Sequence, residues 1–283
     1  MTDAGTATAS AVQITAPAKI NLTLHVTGQR ADGYHLLDSL VVFADIGDRL
    51  EITPGPELSL TVQGPFADGV PTDARNLVWR AAELAHWRGH IRLFKSLPHG
   101  AGIGGGSSDA AALLWASGAG LDPDAVLALG ADVPVCYAAQ PMRMRGIGER
   151  LDPVQVPPLP AVLVNPGGVV PTGQVFSSMA SRDNAPMPDV IPDFADADAC
   201  CAWLAGQRND LEVPAAALLR DIDTALSELR STGNVRLVRM SGSGATCFAI
   251  YPTLKAAKFA AYEIEAAHPD WWIVATTLGG GVS

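Results

Sequence analysis

The sequence predicts an α+β protein of two domains. Three observations carry that prediction. Strand-like and helix-like segments are mixed along the 283 residues without steady βαβ alternation, which argues against a doubly wound sheet. A stretch with four prolines, LDPVQVPPLP at residues 151–160, reads as the best linker, with residues 154–160 as its core. A dense glycine run, LPHGAGIGGGSSD at residues 97–109, joins a strand-like segment to a helix-like one. The length allows two modest domains, each with its own core. At 48% apolar and 17% charged residues, the chain reads as well-packed and globular.

Taken in order, residues 1–13 read as a mobile tail, with no basic start or apolar stretch of a signal peptide. Val12 to Val26 alternates, with Ile20, Leu22 and Leu24 on one face and Lys19, Asn21 and Thr23 on the other, as a strand with a polar face does. GQRADGYH reads as a turn, and Leu40 to Ile52 as a further strand or two around Gly47-Asp48. Asn76 to Trp87 has helical periodicity, and HIRLFKSL reads as a strand. After the glycine run come a helix over Ala110 to Ala116, a helical stretch over Asp122 to Leu129, and a strand pair around MRMRGIGERL. Beyond the linker, AVLVNPG is a strand and Ala180 to Phe194 a loop. Helices follow around Cys200 to Leu204 and Pro214 to Arg230. NVRLVRMSGSGATCFAIY reads as strand, glycine turn, strand, and the helix Leu254 to Ala267 precedes a closing strand, WWIVATTL.

The glycine run holds the strongest chemical signal. Five glycines (100, 102, 104, 105 and 106) fall within seven residues. Such a loop leaves backbone N–H groups free, and a helix N-terminus adds partial positive charge, so the pair suits a polyphosphate. A Walker A loop is excluded because no lysine follows the glycines. A protein-kinase glycine loop needs a V-A-I-K lysine soon after, and none occurs. Gly100, Gly102 and Gly105 match a dinucleotide fingerprint, but Asp122 and Asp124 lie in a loop that opens another helix rather than at the end of a second strand.

The remaining composition sets limits. No uninterrupted run of 18 apolar residues occurs, so no membrane span is expected. A net charge of −10 argues against nucleic acid. It also requires any phosphate site to rely on local donors, a few lysines and a metal. The four cysteines lack C-x-x-C spacing and the six histidines lack metal-ligand spacing, so free thiols in a cytoplasmic protein are expected and no zinc.

Three segments, APAKINLTLHV, LPHGAGIGGGSSDAA and RMSGSGATCFAIY, resemble the three motifs of the GHMP kinases, the family of galactokinase, homoserine kinase and mevalonate kinase. RADGYH, GADVP, the GIGE turn and NPGGVVPT resemble more narrowly the branch that phosphorylates a cytidylyl sugar alcohol in non-mevalonate isoprenoid precursor synthesis. The resemblance implies a two-domain fold, N-terminal like ribosomal protein S5 domain 2 over residues 14–153 and C-terminal ferredoxin-like over 161–283. It implies ATP with Mg2+, and a monomer or weak homodimer acting on a small molecule. The metal's ligands stay open.

By the same resemblance Asp132 is the catalytic base and Lys19 the lysine that keeps it ionised and orients the hydroxyl. Pro98, His99, Gly100, Ala101, Gly102, Ile103, Gly104, Gly105, Gly106, Ser107 and Ser108 wrap the phosphates, with Ser107 or Ser108 in reach of the metal. Asn76 and Lys95 lie near adenine and ribose. Tyr34 offers a stacking face and His35 a hydrogen bond to a pyrimidine edge. Asn21 would hold the sugar-alcohol end, and Thr172 and Phe176 the other side of the cytidine pocket. From the residues alone, Asp132 could equally be an N-cap and Asn76 a helix cap. Two departures from the family pattern are a shortened segment between SSDAA and GADVP, and Gly173 where proline is common.

Overall fold

Residues 11–279 are described by the computed structural model, so most of the expected N-terminal tail, residues 1–10, lies outside them. One strand organises the N-terminal half: β3, the twenty residues His35–Pro54. Its sequence carries no proline before its last residue, and its middle, Leu40–Ala44, is buried on both faces. Against it run β1 (Val12–Asn21), β2 (His25–Gln29), β5 (Gly89–Phe94) and β6 (Met142–Gly146), all antiparallel. β4 (Ser59–Gln63) adds to β5 in parallel, and β7 (Arg150–Pro153) pairs with β6.

Helices α1 (Leu77–Leu84), α2 (Gly105–Ser117), α3 (Pro123–Leu129) and α4 (Val133–Ala138) belong to this half. Its core joins Val41, Phe43, Leu50 and Ile91 of the sheet to Val78, Leu113 and Val133 of the helices.

The second half contains β8 (Leu159–Asn165), α5 (Thr172–Ser177), α6 (Ala197–Ala205), α7 (Glu212–Leu218), α8 (Asp221–Ser231), β9 (Leu237–Met240), β10 (Cys247–Ile250), α9 (Leu254–Ala267) and β11 (Trp272–Leu278). Sheet order here is β11-β8-β10-β9, and β11 also meets β3 through Leu278 and Ala44, so one hydrogen-bonded network runs through both halves. A core of Val162, Val164, Ile222, Leu226 and Ala257 lies between this sheet and its helices. The expected α+β class is what the structure has.

Several elements differ from expectation, each for a local reason. The strand expected over Val12 to Val26 is two, because Leu22 and Leu24 turn their N–H groups to the carbonyls of Leu40 and Arg208 (2.8 and 2.9 Å). The first of the two begins at Val12, inside the segment expected to be tail. The long β3 passes straight through Gly47, where a Cβ would collide with the Ala16 carbonyl, so glycine there permits close approach of β1 rather than a turn. The linker is shorter than expected, since β8 already begins at Leu159. The helix expected over Pro214 to Arg230 breaks between α7 and α8, where Leu219 is extended.

Phe43 is 1% exposed at the centre of the N-terminal core. Phe43→Ala is expected to lower stability by about 3–5 kcal/mol, through lost burial and an unfilled cavity. Chemical denaturation followed by circular dichroism checks this.

Candidate active site

A cleft of about 570 Å³ lies between β1, the glycine loop, the start of α1 and a second glycine turn at 242–244. The loop forms because Gly100, Gly102 and Gly104 adopt φ of 55, 72 and 63°, which side-chain-bearing residues avoid. At Gly102 a Cβ would meet the backbone of Ser241 and Gly244. The two glycine turns therefore pack backbone on backbone. Thr246 donates its N–H to the Ala101 carbonyl (3.0 Å), and the Ser241 hydroxyl donates to the Gly102 carbonyl (3.0 Å) while accepting the Asn21 N–H (3.1 Å).

Gly104 is the N-cap of α2 and has no side chain to occupy the orphan N–H groups of the first turn. That end of α2 faces the cleft through Gly105, Gly106 and Ser107, an arrangement suited to anions. Pro98, His99, Gly100, Ala101 and Gly102 line the same wall. Two expected members do not. Ile103 is 1% exposed and packs in the core with Ala18 and Ile20. Ser108 turns to β1, its hydroxyl donating to the Pro17 carbonyl at 2.7 Å. Ser107 is thus the loop hydroxyl that faces the cleft.

Lys19 and Asp132 meet. Lys19 Nζ is 2.9 Å from Asp132 Oδ2, with side-chain exposures of 4 and 34%. Asp132 occupies the N-cap position of α4 yet makes no capping hydrogen bond, so its carboxylate is free for the cleft. Lys19 reaches it past Gly104, where a Cβ would stand 2.9 Å from Lys19 Cε. Asn21 accepts from Lys19 Nζ (2.9 Å) and donates to the Ser39 hydroxyl (2.7 Å). Both ends of its amide are engaged within the protein. Asn21 lines the cleft as expected, and its amide also orients Lys19.

Asn76 and Lys95 border the cleft, but their polar groups are also engaged. Asn76 caps α1 by accepting the Val78 N–H (2.9 Å) and donates to the Pro71 carbonyl (2.7 Å). Lys95 is ion-paired with both Asp48 and Asp109, the latter at 2.8 Å. Burial opposes its charge, yet the two carboxylates outweigh burial and hold its pKa above the ordinary value. Burial in turn pushes the Asp109 carboxyl above the ordinary carboxylate range, against the pull of the Lys95 ammonium.

At the other end of the cleft, Phe176 of α5 lines it and stacks on His35, which is not itself a lining residue, at 4.3 Å between ring centroids and 17° between planes. His35 Nε2 is buried without a partner. Burial, then Arg182, lowers the His35 pKa and favours the neutral ring. Thr172 shares a hydrogen bond with the Ser243 hydroxyl at 2.9 Å. Tyr34 stands apart: its side chain is 57% exposed on the turn before β3 and does not border the cleft. Phe176, unlike Tyr34, borders the cleft. Asp48, Ser39, Ser241 and Asp109 went unread because each bonds to residues distant in the sequence; only Asp109, beside the loop in SSDAA, carried a local signal.

A glycine loop at a helix N-terminus with an aspartate-lysine pair across a cleft defines a small-molecule phosphotransferase. The comparisons agree. Residues 76–140 match the GHMP kinases N terminal domain, and residues 193–270 the GHMP kinases C terminal domain. The 4-diphosphocytidyl-2-C-methyl-D-erythritol kinase of Dinoroseobacter shibae is 58% identical over 269 residues, 93% of each chain. That of Paracoccus denitrificans is 54% identical, covering 93% of this chain and 95% of its own. A crystal structure of 4-(cytidine 5'-diphospho)-2C-methyl-D-erythritol kinase superposes with a TM-score of 0.74 at 36% identity, over 95% of this chain and all of that one. The chain belongs to the 4-diphosphocytidyl-2-C-methyl-D-erythritol kinase family of GHMP kinases.

Gly104→Val is expected to abolish ATP binding, because it places a branched side chain at φ 63° and against Lys19. Calorimetric titration with a non-hydrolysable ATP analogue, on protein shown by circular dichroism to be folded, checks it.

Proposed function

We infer that the protein transfers the terminal phosphoryl group of ATP to the 2-hydroxyl of 4-diphosphocytidyl-2-C-methyl-D-erythritol, a step of non-mevalonate isoprenoid precursor synthesis. The observation that carries the reading of the mechanism is the Lys19–Asp132 pair at 2.9 Å beside the glycine loop. Asp132 accepts the proton of the attacking hydroxyl. Lys19 pairs with that carboxylate and lends positive charge where the hydroxyl becomes an alkoxide. Phosphoryl transfer has a loose transition state, so catalysis here is placement and charge stabilisation. The N–H groups of residues 100–106 and the first turn of α2 supply that stabilisation.

Magnesium carried by the nucleotide would neutralise phosphate charge. No group of three or more His, Cys, Asp or Glu side chains suited to a metal occurs among the described residues. The Ser107 hydroxyl, on the cleft wall at the helix start, is the side chain that fits it.

The acceptor's cytosine is assigned to Phe176, which lines the cleft, and to His35 stacked on it, whose Nε2 has no partner in the protein. Thr172 and Ser243 flank the path between the base and Asp132. Residues 14–153 form the nucleotide-binding domain in this reading and 161–283 the C-terminal domain. The core around Phe43, drawn wholly from the first half, supports the division, while another core packs Ile20 and Leu40 against Leu163 and Phe248 across it, and residues 280–283 lie outside the described ones. No helix among the described residues is long and apolar enough to cross a membrane. We place the activity in the cytoplasm, supported by ATP as donor and by four buried free cysteines, and as a monomer or weak homodimer without nucleic acid.

Asp132→Asn is expected to lower turnover by about 10²–10⁴ with ATP binding retained. Lys19→Met is expected to reduce kcat more than it raises the KM for ATP, and steady-state kinetics on both variants separates these effects. A near-wild-type kcat in Asp132→Asn removes the base from the mechanism.

Phe176→Ala and His35→Ala are expected to weaken the cytidylyl substrate about tenfold or more, on the scale of base stacking, with ATP affinity unchanged. Tyr34→Ala is expected to do less. The uridine analogue is expected to be a poor substrate, because its edge reverses the donor and acceptor pattern. Equal rates for the two nucleotides would move the base to another pocket.

A further inference from the structure

The glycine loop has two ends, and one buried charge cluster holds both. The chain enters the loop through Ser96 and Leu97, just after β5, and leaves it into α2. Asp48 of β3 accepts the N–H groups of Ser96 (2.6 Å) and Leu97 (2.9 Å) on one carboxylate oxygen and the Lys95 ammonium on the other. Lys95 also donates to Asp109, on the second turn of α2, at 2.8 Å. The side chains of Lys95, Asp48 and Asp109 are 5, 0 and 3% exposed.

The cluster stands directly behind the loop. A Cβ on Gly105 would be 3.4 Å from Lys95 Nζ and 3.6 Å from an Asp48 oxygen. It also touches the cleft: Asp109 lines it, and the second Asp109 oxygen is buried without a partner. Ion pairs this deep contribute little net stability, because desolvation offsets their attraction. What they supply is geometry, since any departure leaves a charge unmatched in a medium of low dielectric.

We propose that Asp48, Lys95 and Asp109 are positioning residues for the phosphoryl donor, a charge staple that fixes the distance between the two ends of the glycine loop so that its N–H groups converge on the nucleotide phosphates. The staple rests on the reading of this loop as the ATP site. It gives Lys95 a task other than contact with adenine or ribose. It also accounts for a lysine at the end of β5 whose charge is fully matched inside the protein. Its action is one-sided. Asp48 shares β3 with His35 but lies thirteen residues along it, and the staple's hydrogen bonds reach neither His35 nor α5, where the acceptor's base is assigned, so its loss acts on the donor alone.

The test is Asp48→Asn in the full chain. The substitution keeps size and leaves Lys95 matched one to one with Asp109. A non-hydrolysable ATP analogue and the cytidylyl substrate are titrated separately by calorimetry, well below the melting temperature of the variant, and KM and kcat are measured alongside. The ATP-analogue Kd and the KM for ATP are expected to rise about tenfold or more, as misplacement of a binding loop implies, with the Kd of the cytidylyl substrate unchanged. Asp109→Asn, which leaves Lys95 matched with Asp48, is expected to act in the same direction, and it decides the matter by the same criterion if Asp48→Asn does not fold. A folded variant that binds both ligands as the wild type does, or loses both equally, overturns the staple. If the wild type itself fails to bind the ATP analogue, the reading of the site fails first.

Discussion

A lysine side chain only 4% exposed has to have its charge matched, and most of the active site follows from how Lys19 is matched. Asp132 supplies the charge and Asn21 a carbonyl, each at 2.9 Å. Asn21 is itself turned by the Ser39 hydroxyl, and Ser39 donates onward to the Thr23 carbonyl. The Lys19 side chain passes where residue 104 would carry a Cβ, so glycine is required there for two reasons, φ and space. The Lys19 backbone N–H also reaches the Ile103 carbonyl at 2.9 Å. One buried charge therefore sets the position of the base, the register of β1 and the shape of the loop.

Phosphate recognition in this protein is built on the backbone. The chain carries a formal charge of −10, and the cations that border the cleft are already matched: Lys19 by Asp132, Lys95 by two aspartates, Arg75 by Asp73 at 2.8 Å. What remains unpaired is a row of N–H dipoles at the start of α2. Dipoles held rigidly cost no reorganisation when charge develops, and here that makes loop rigidity a catalytic requirement. The second glycine turn, through Thr246 and Ser241, supplies rigidity from the C-terminal half. The site is therefore complete only when both halves are packed together.

Much of this was legible in the residues. The strand, glycine loop and helix stood in the expected order, and GADVP put Asp132 opposite Lys19. What the sequence did not show is that several residues read as ligand-binding are also bonded inside the protein. Asn76, Asn21, Ser108 and Lys95 each have near or distant partners that no spacing rule reveals. Tyr34 was read as the stacking face and Phe176 as the other side of the pocket; that His35 stacks on Phe176 depends on β3 meeting α5, which no local pattern shows. Whether Leu40 to Ile52 was one strand or two around Gly47-Asp48 stayed open, because the local pattern cannot show that a glycine in a strand serves close approach of β1.

The place of β11 bears on synthesis. β8 is a strand whose residues Ala161 to Val164 are wholly buried, and one of its two hydrogen-bonding edges is covered by β11, residues 272–278. A ribosome therefore releases more than a hundred residues after β8 before that edge can be closed. During this interval the nascent chain presents an apolar strand with free N–H and C=O groups, the kind of edge that pairs with other chains. The pace of translation and the availability of chaperones over that stretch thus bear on yield. So does anything fused directly after Leu278 that delays the last strand from entering its slot.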